Sequence, residues 1–168
     1  MRQKYKKPLE TEYIELMDEG LEKEQAIGDR EFSNMLGWMI QDRGFKKADV
    51  CERAEVDYRD LQRYLNGENS KQKPVIRLAM ALEQSLENAN RLLKAANQGL
   101  LDDLNRDTRI IKKHYNAIVE EFKEHRDNPV YVCESILNLN EELAKNGFTK
   151  LFESSKRGKS KGENSKYD

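Results

Sequence analysis

Val50-Cys51-Glu52-Arg53-Ala54-Glu55-Val56-Asp57-Tyr58-Arg59-Asp60-Leu61-Gln62-Arg63-Tyr64-Leu65-Asn66-Gly67 is the stretch that decides the fold. Val50, Cys51 and Ala54 fall at i, i+1 and i+4, on one face of a helix. Leu61, Tyr64 and Leu65 form the apolar face of a second one. Between them Glu55-Val56 must make a tight corner. Asp57 is a good N-cap for the second helix, and Gly67 can adopt the left-handed conformation that ends it. Helices of about two turns do not stand alone in water, so longer helices on either side must clamp them. Small side chains at Cys51 and Ala54 let the two axes approach near the corner. The spacing therefore predicts a helix-turn-helix whose outward face carries Tyr58, Arg59, Gln62, Arg63 and Asn66.

These residues resemble the phage-repressor-like (Xre-type, lambda repressor-like) helix-turn-helix family. Val50-Cys51, Ala54, Glu55-Val56 and Asn66-Gly67 stand at the places of that family's motif, and Arg77-Leu78-Ala79-Met80-Ala81-Leu82 looks like its fourth helix. Asn88 to Ala96, Asn105-Arg106-Asp107 with Ile110-Ile111, and Leu139 to Leu143 are similar to a C-terminal helical extension of some bacterial members. Three positions depart from the pattern. Glu55 replaces the usual corner Gly, Cys51 stands where Ala is common, and the loop after Gly67 is about one residue shorter than the family's norm. A non-glycine residue at the corner carries a penalty of about 1 kcal/mol for positive φ.

The resemblance implies an all-α, lambda repressor-like helix-turn-helix bundle with an N-terminal helix and additional C-terminal helices. It also implies double-stranded DNA as partner, in a homodimer whose two half-sites lie about one DNA turn apart. Arg and Gln are the residue types that make bidentate contacts to guanine and adenine edges, so Tyr58, Arg59, Gln62 and Arg63 are the expected base contacts. Lys46, Lys47, Asn66, Asn69, Lys71 and Lys73 are the expected backbone or flanking contacts, with Lys47 and Asn69 carried over from matching family positions. The C-terminal helices would supply dimerisation or protein-partner contacts.

Outward from the motif the sequence divides at 1–29, 30–84, 85–153 and 154–168. A basic arm (Arg2, Lys4, Lys6, Lys7) precedes Pro8. Leu9, Tyr13, Leu16, Met17 and Leu21 mark an amphipathic helix over 9–25, and Ile27-Gly28-Asp29 is read as its break. Phe32, Leu36, Met39 and Ile40 then mark a helix capped by Asp29 and closed at Gly44. Trp38 lies off that stripe, to pack on the N-terminal helix or to join a dimer surface. A fourth helix of the unit has Pro74 in its first turn and runs to about 83. Ser85 caps the next, over 86–97. Asn105 caps a long helix with the stripe Ile111, Tyr115, Ile118 and Phe122, stopped by Asn128-Pro129. Val130-Tyr131-Val132-Cys133 is β-rich but has no evident partner strand, so it is read as an extended link or a helix start. A last helix runs to about Asn146, and Phe148, Leu151 and Phe152 fold back onto the body. From Ser154 the chain is polar and Lys-rich, the composition of a disordered tail.

Composition limits the function classes. The 168 residues carry 30 Lys and Arg against 31 Asp and Glu. DNA binding would therefore rest on local charge and weaken steeply with salt. Two cysteines without paired spacing suit core thiols in a reducing cytoplasm, and no run reaches the length of a membrane span. His114 and His125 have no Cys or His at ligand spacing, so no metal is expected. There is no glycine-rich phosphate loop and no nucleophile elbow, so neither a catalytic residue nor a cofactor is expected. Two readings remain open: a sequence-specific DNA-binding regulator, or a protein-interaction module on the same scaffold. Enrichment of a duplex sequence would separate them.

Overall fold

The computed structural model describes residues 21–127 and 130–157, with residues 21–30 as backbone only. Among these are seven helices and one two-stranded ribbon. The basic arm, the first part of the expected N-terminal helix, the Asn128-Pro129 stop and residues 158–168 lie outside the described residues.

Helix α1 spans Leu21–Arg43 and buries Phe32, Met35, Leu36, Met39 and Ile40. That i, i+3, i+4, i+7, i+8 spacing gives one apolar stripe. Gly44, at φ 72°, closes the helix, its N–H bonding to the Ile40 carbonyl at 3.0 Å. The expected break at Ile27-Gly28-Asp29 does not occur, and the helix runs straight through it. One interior glycine costs only about 1 kcal/mol relative to Ala, which a 23-residue helix absorbs. Asp29 is thus a helical residue, not a cap.

Helices α2 (Lys47–Ala54) and α3 (Tyr58–Leu65) are the two predicted short helices. Val50, Cys51, Ala54, Val56, Leu61, Tyr64 and Leu65 are all buried, as the pattern requires. Helix α1 clamps α3 by the Ser33 hydroxyl, which donates to the Tyr64 carbonyl, and by an edge-on contact of the Phe32 and Tyr64 rings at 5.9 Å. Helix α4 (Gln72–Ala81) buries six of its ten residues and packs against α2. It also packs against α5 (Leu86–Ala95) and α6 (Arg106–Glu124). Ser85 caps α5 as expected, accepting from the Asn88 amide at 3.1 Å. Asn105 occupies the cap position of α6, but its side chain makes no capping bond; the Thr108 amide bonds instead to Asp107.

The stripe of α6 is buried along its length, and the Tyr115 hydroxyl donates to the Gln84 carbonyl at 2.9 Å. Helix α6 ends at Glu124, before Asn128-Pro129. Both side chains that follow make tertiary contacts: His125 stacks on Tyr131, and Arg126 reaches Glu83. One continuous core runs from Phe32 to Phe152 and crosses position 84/85.

The extended link is a strand after all. Strand β1 (Tyr131–Val132) pairs antiparallel with β2 (Lys156–Arg157), Tyr131 opposite Arg157. Its partner lies in the segment read as a disordered tail, so residues 154–157 are ordered and Arg157 is buried. Helix α7 (Glu134–Lys145) connects them, and its buried Asn140 bonds to both Phe152 and Leu151, fixing the return of the chain.

Cys51 and Cys133 are free and buried, and burial above all pushes each thiol up to about 12. Thiols held so far above neutrality are poor nucleophiles. No helix of the described residues is long and apolar enough to cross a membrane.

Glu83 ties these pieces together. It sits past the end of α4 at φ 56° with a fully buried side chain. Arg53 on α2 donates to its carboxylate at 3.0 Å, and Arg126 grips it with Nε at 2.8 Å and with Nη2. Arg43 caps the turn from outside, donating to the Leu82 and Glu83 carbonyls. Burial alone would raise the Glu83 carboxyl, but the hydrogen bonds of Arg126 and the charge of Arg53 outweigh it and hold the group below its ordinary range. A depressed folded-state carboxyl contributes stability above the unfolded value, and that contribution disappears as pH falls through the folded value. Glu83→Gln should destabilise the fold by about 3 kcal/mol at neutral pH, near the lower end for a broken buried pair because Arg126 is half exposed. The loss should shrink below the carboxylate range, which urea denaturation at a series of pH values would read. Equal losses at neutral and acid pH would refute the charge pairing.

Candidate nucleic-acid interface

The corner between α2 and α3 is built around a left-handed residue. Glu55 has φ 53° and ψ 47°, and the Val56 amide bonds back to the Cys51 carbonyl at 3.0 Å, closing α2 as a Schellman motif. A glycine would adopt this conformation without penalty. Glu55 is held there by its surroundings. Its carboxylate accepts from the amides of Glu153 at 2.7 Å and Ser154 at 3.1 Å, and from the Arg157 guanidinium. Arg157 also donates to the Arg53 carbonyl at 2.9 Å. From the other side Arg77 of α4 donates to the Ala54 carbonyl at 2.8 Å and the Leu151 carbonyl at 3.0 Å. Two arginines thus satisfy the carbonyls that α2 leaves open at its end.

Helix α3 starts on Asp57, whose carboxylate accepts from the Arg59 amide at 2.8 Å. The predicted base-contact residues then divide into three kinds. Arg59 is exposed, and its guanidinium makes no hydrogen bond or ion pair among the described residues. Tyr58 is half-buried against the core, and its hydroxyl accepts from Gln62 Nε2 at 2.9 Å, so these two act as one unit. Arg63 is flanked by Asp60 at 2.5 Å and Glu68 at 3.2 Å, and its charge is already matched within the protein.

The flanking residues gather less uniformly. Lys46 is the N-cap residue of α2 and Lys47 its first residue, both exposed. Asn66 follows α3, exposed, at its C-cap. Arg63, Asn69, Lys71 and Lys73 line one open hollow of about 460 Å³ at the start of α4. Lys71 is the N-cap residue there and gives no side-chain cap, and with Pro74 lacking an N–H the amides of Gln72 and Lys73 are the donors left for an anion. Lys73 lines this hollow, yet its ammonium donates to Thr149 and to the Lys150 carbonyl at 3.2 Å. It acts as a strut to the C-terminal turn as well as a charge.

The acidic residues that dilute the motif's charge are also placed. Asp57 is occupied as a cap and Asp60 as the partner of Arg63, while Asp49 and Glu52 line a different hollow beside Arg53. Sequence reasoning missed Glu68 as a partner of Arg63, and Ser70 and Gln72 as further lining of the α4 hollow. The short loop after Gly67 places Glu68 beside Arg63, and no periodicity signals such a contact. Among the described residues no group of three or more His, Cys, Asp or Glu could hold a metal ion.

Comparison with family models, with curated proteins and with solved structures finds no match.

The corner yields a test in which two effects oppose. Glu55→Gly relieves about 1 kcal/mol of left-handed strain. It also removes the acceptor of three hydrogen bonds; the Glu153 and Ser154 amides are exposed and turn to water, so the loss is chiefly that of the charge-assisted bond from the buried Arg157, about 3 kcal/mol. The net expectation is destabilisation by about 2 kcal/mol in urea denaturation. A more stable variant would show that the clamp on Glu55 contributes nothing.

Proposed function

We propose that the protein is a sequence-specific DNA-binding regulator of transcription with a lambda repressor-like helix-turn-helix, reading the major groove with α3. The observation that carries this reading is the pairing of an unengaged Arg59 on α3 with a cation-lined hollow at the start of the next helix. A short helix offering Arg59 and the Tyr58–Gln62 pair suits base edges. A helix N-terminus with Lys71 and Asn69 beside it suits a phosphate of the same duplex. Lys46 and Lys47, at the N-terminus of α2, suit a second phosphate. The same reading takes the protein as a cytoplasmic homodimer, with α6 and α7 contributing the association. In support, the large apolar residues left exposed among those described, Leu100, Leu104, Val130, Val132 and Leu137, all lie in the C-terminal half.

A second reading has one observation in its favour. Arg63 is neutralised by Asp60 and Glu68, leaving α3 with a mixed surface that also suits a protein partner. Selection from random duplexes decides between the two. A DNA-binding regulator enriches a site with two related halves about one helical turn apart. Arg59→Ala should then weaken that site by about 1–3 kcal/mol and relax one position. Lys71→Ala should weaken all duplexes alike and lower the salt slope by about 1. If no sequence is enriched and neither substitution changes residual binding, the protein-interaction reading stands in its place.

A further inference from the structure

The bond between Tyr58 and Gln62 restricts which base α3 can read, an inference that rests on α3 entering the major groove. Tyr58 is half-buried and its ring packs against the core, which fixes where the hydroxyl lies. Gln62, one turn further along and also half-buried, donates from Nε2 to that hydroxyl at 2.9 Å. The bond sets the direction of the amide. Its oxygen accepts no hydrogen bond among the described residues and is not enclosed, so it opens outward. Neither neighbouring charge competes for the amide, because Arg63 is held by Asp60 and by Glu68.

The base follows from that direction. In the major groove adenine shows a donor at N6 beside an acceptor at N7, whereas guanine shows two acceptors, O6 and N7. Cytosine shows one donor, and thymine an acceptor and a methyl group. An amide with its oxygen free and one proton left on its nitrogen matches both groups of adenine. It matches only one of cytosine, and at guanine it sets an acceptor against an acceptor. The reverse bond, with the hydroxyl donating to the amide oxygen, would turn both amide protons outward and favour guanine. A glutamine free to rotate would present either side. The selectivity therefore lies in the bond to Tyr58, not in Gln62 alone.

We propose that Gln62 reads an adenine, accepting from N6 and donating to N7, and that Tyr58 is the positioning residue that selects adenine over guanine by fixing the amide. Arg59, exposed beside them, reads a different base pair.

The test uses the full chain and the duplex enriched from random sequences, with affinity read by fluorescence anisotropy. At the base pair whose preference Gln62→Ala abolishes, the wild type should favour adenine over guanine by about ten-fold. Exchanging that adenine for unsubstituted purine, which lacks only the 6-amino group, should weaken the wild type to a similar extent and affect Gln62→Ala far less. Tyr58→Phe keeps the packed ring and should melt at the same temperature, yet its adenine-to-guanine ratio should fall roughly three-fold. The preference at the pair that Arg59→Ala relaxes should stay as it is. A merely structural Tyr58 would change the affinity for both bases alike. The proposal is overturned if Gln62→Ala alters no single base pair, if the base preferred there is not adenine, or if Tyr58→Phe leaves the ratio unchanged. In each of those outcomes a duplex is still enriched. Absence of any enriched sequence rejects the DNA reading itself, and this assignment with it.

Discussion

The carboxylate of Glu83 has no access to solvent, and a lone charge in that position would cost several kcal/mol. The rest of the architecture is organised by the need to satisfy it. Arg53 reaches it from the first helix of the helix-turn-helix and Arg126 from beyond the end of α6, while Arg43 closes the carbonyls of the same turn. One buried anion therefore joins the ends of α4 and α6 to the face of α2, and Arg43 ties the end of α1 to the same turn through its backbone carbonyls. Helix α6 stops at Glu124, and Arg126 meets Glu83 from the non-helical turn that follows. Hydrophobic burial supplies most of the driving force for such a core, but it is non-directional. The charge–hydrogen-bond network is directional, and it sets how the helices lie against one another.

A second network holds the corner that aims α3. Arg77 and Arg157 approach the end of α2 from opposite parts of the chain, and both donate to its terminal carbonyls. Glu55 takes the left-handed conformation that a glycine would adopt freely, and its carboxylate is used to anchor residues 153–157. The substitution that looks like a defect in the motif is thus the attachment point for a segment that motif does not contain. Two of the aromatic–arginine contacts nearby, Arg53 on Phe122 and Arg157 on Phe152, carry the same network into the apolar core.

The helical elements from Phe32 to Phe152 were largely legible because each follows a local rule. A 3.6-residue apolar period locates all three short helices α2, α3 and α5, helped by the Asp57 cap and closing Gly67 at α3 and by the Ser85 cap at α5. What was not legible depends on partners distant in sequence. Val130-Tyr131-Val132 has β propensity, but its partner strand is Lys156-Arg157, in a stretch whose composition reads as solvent-exposed. Gly28 suggests a break only if its local penalty outweighs the hydrogen bonds of a long helix, and it does not. The same limit applies at the interface. The outward placement of Arg59, Gln62 and Arg63 follows from helical period. That Arg63 is neutralised by Glu68, and that Lys73 is a strut to Thr149, follows from loop and tertiary geometry that no period encodes.

The clamp on Glu55 bears on the order of events during folding. Its hydrogen-bonding partners lie about one hundred residues further along the chain. Helices α1 to α5 can meet through contacts between neighbours in sequence, whereas this clamp closes one of the longest loops in the molecule, a step that topology makes late. Without residues 153–157 in place, the left-handed conformation of Glu55 lacks the bonds that offset its strain. The corner that is easiest to recognise in the sequence is therefore the one whose geometry is completed last.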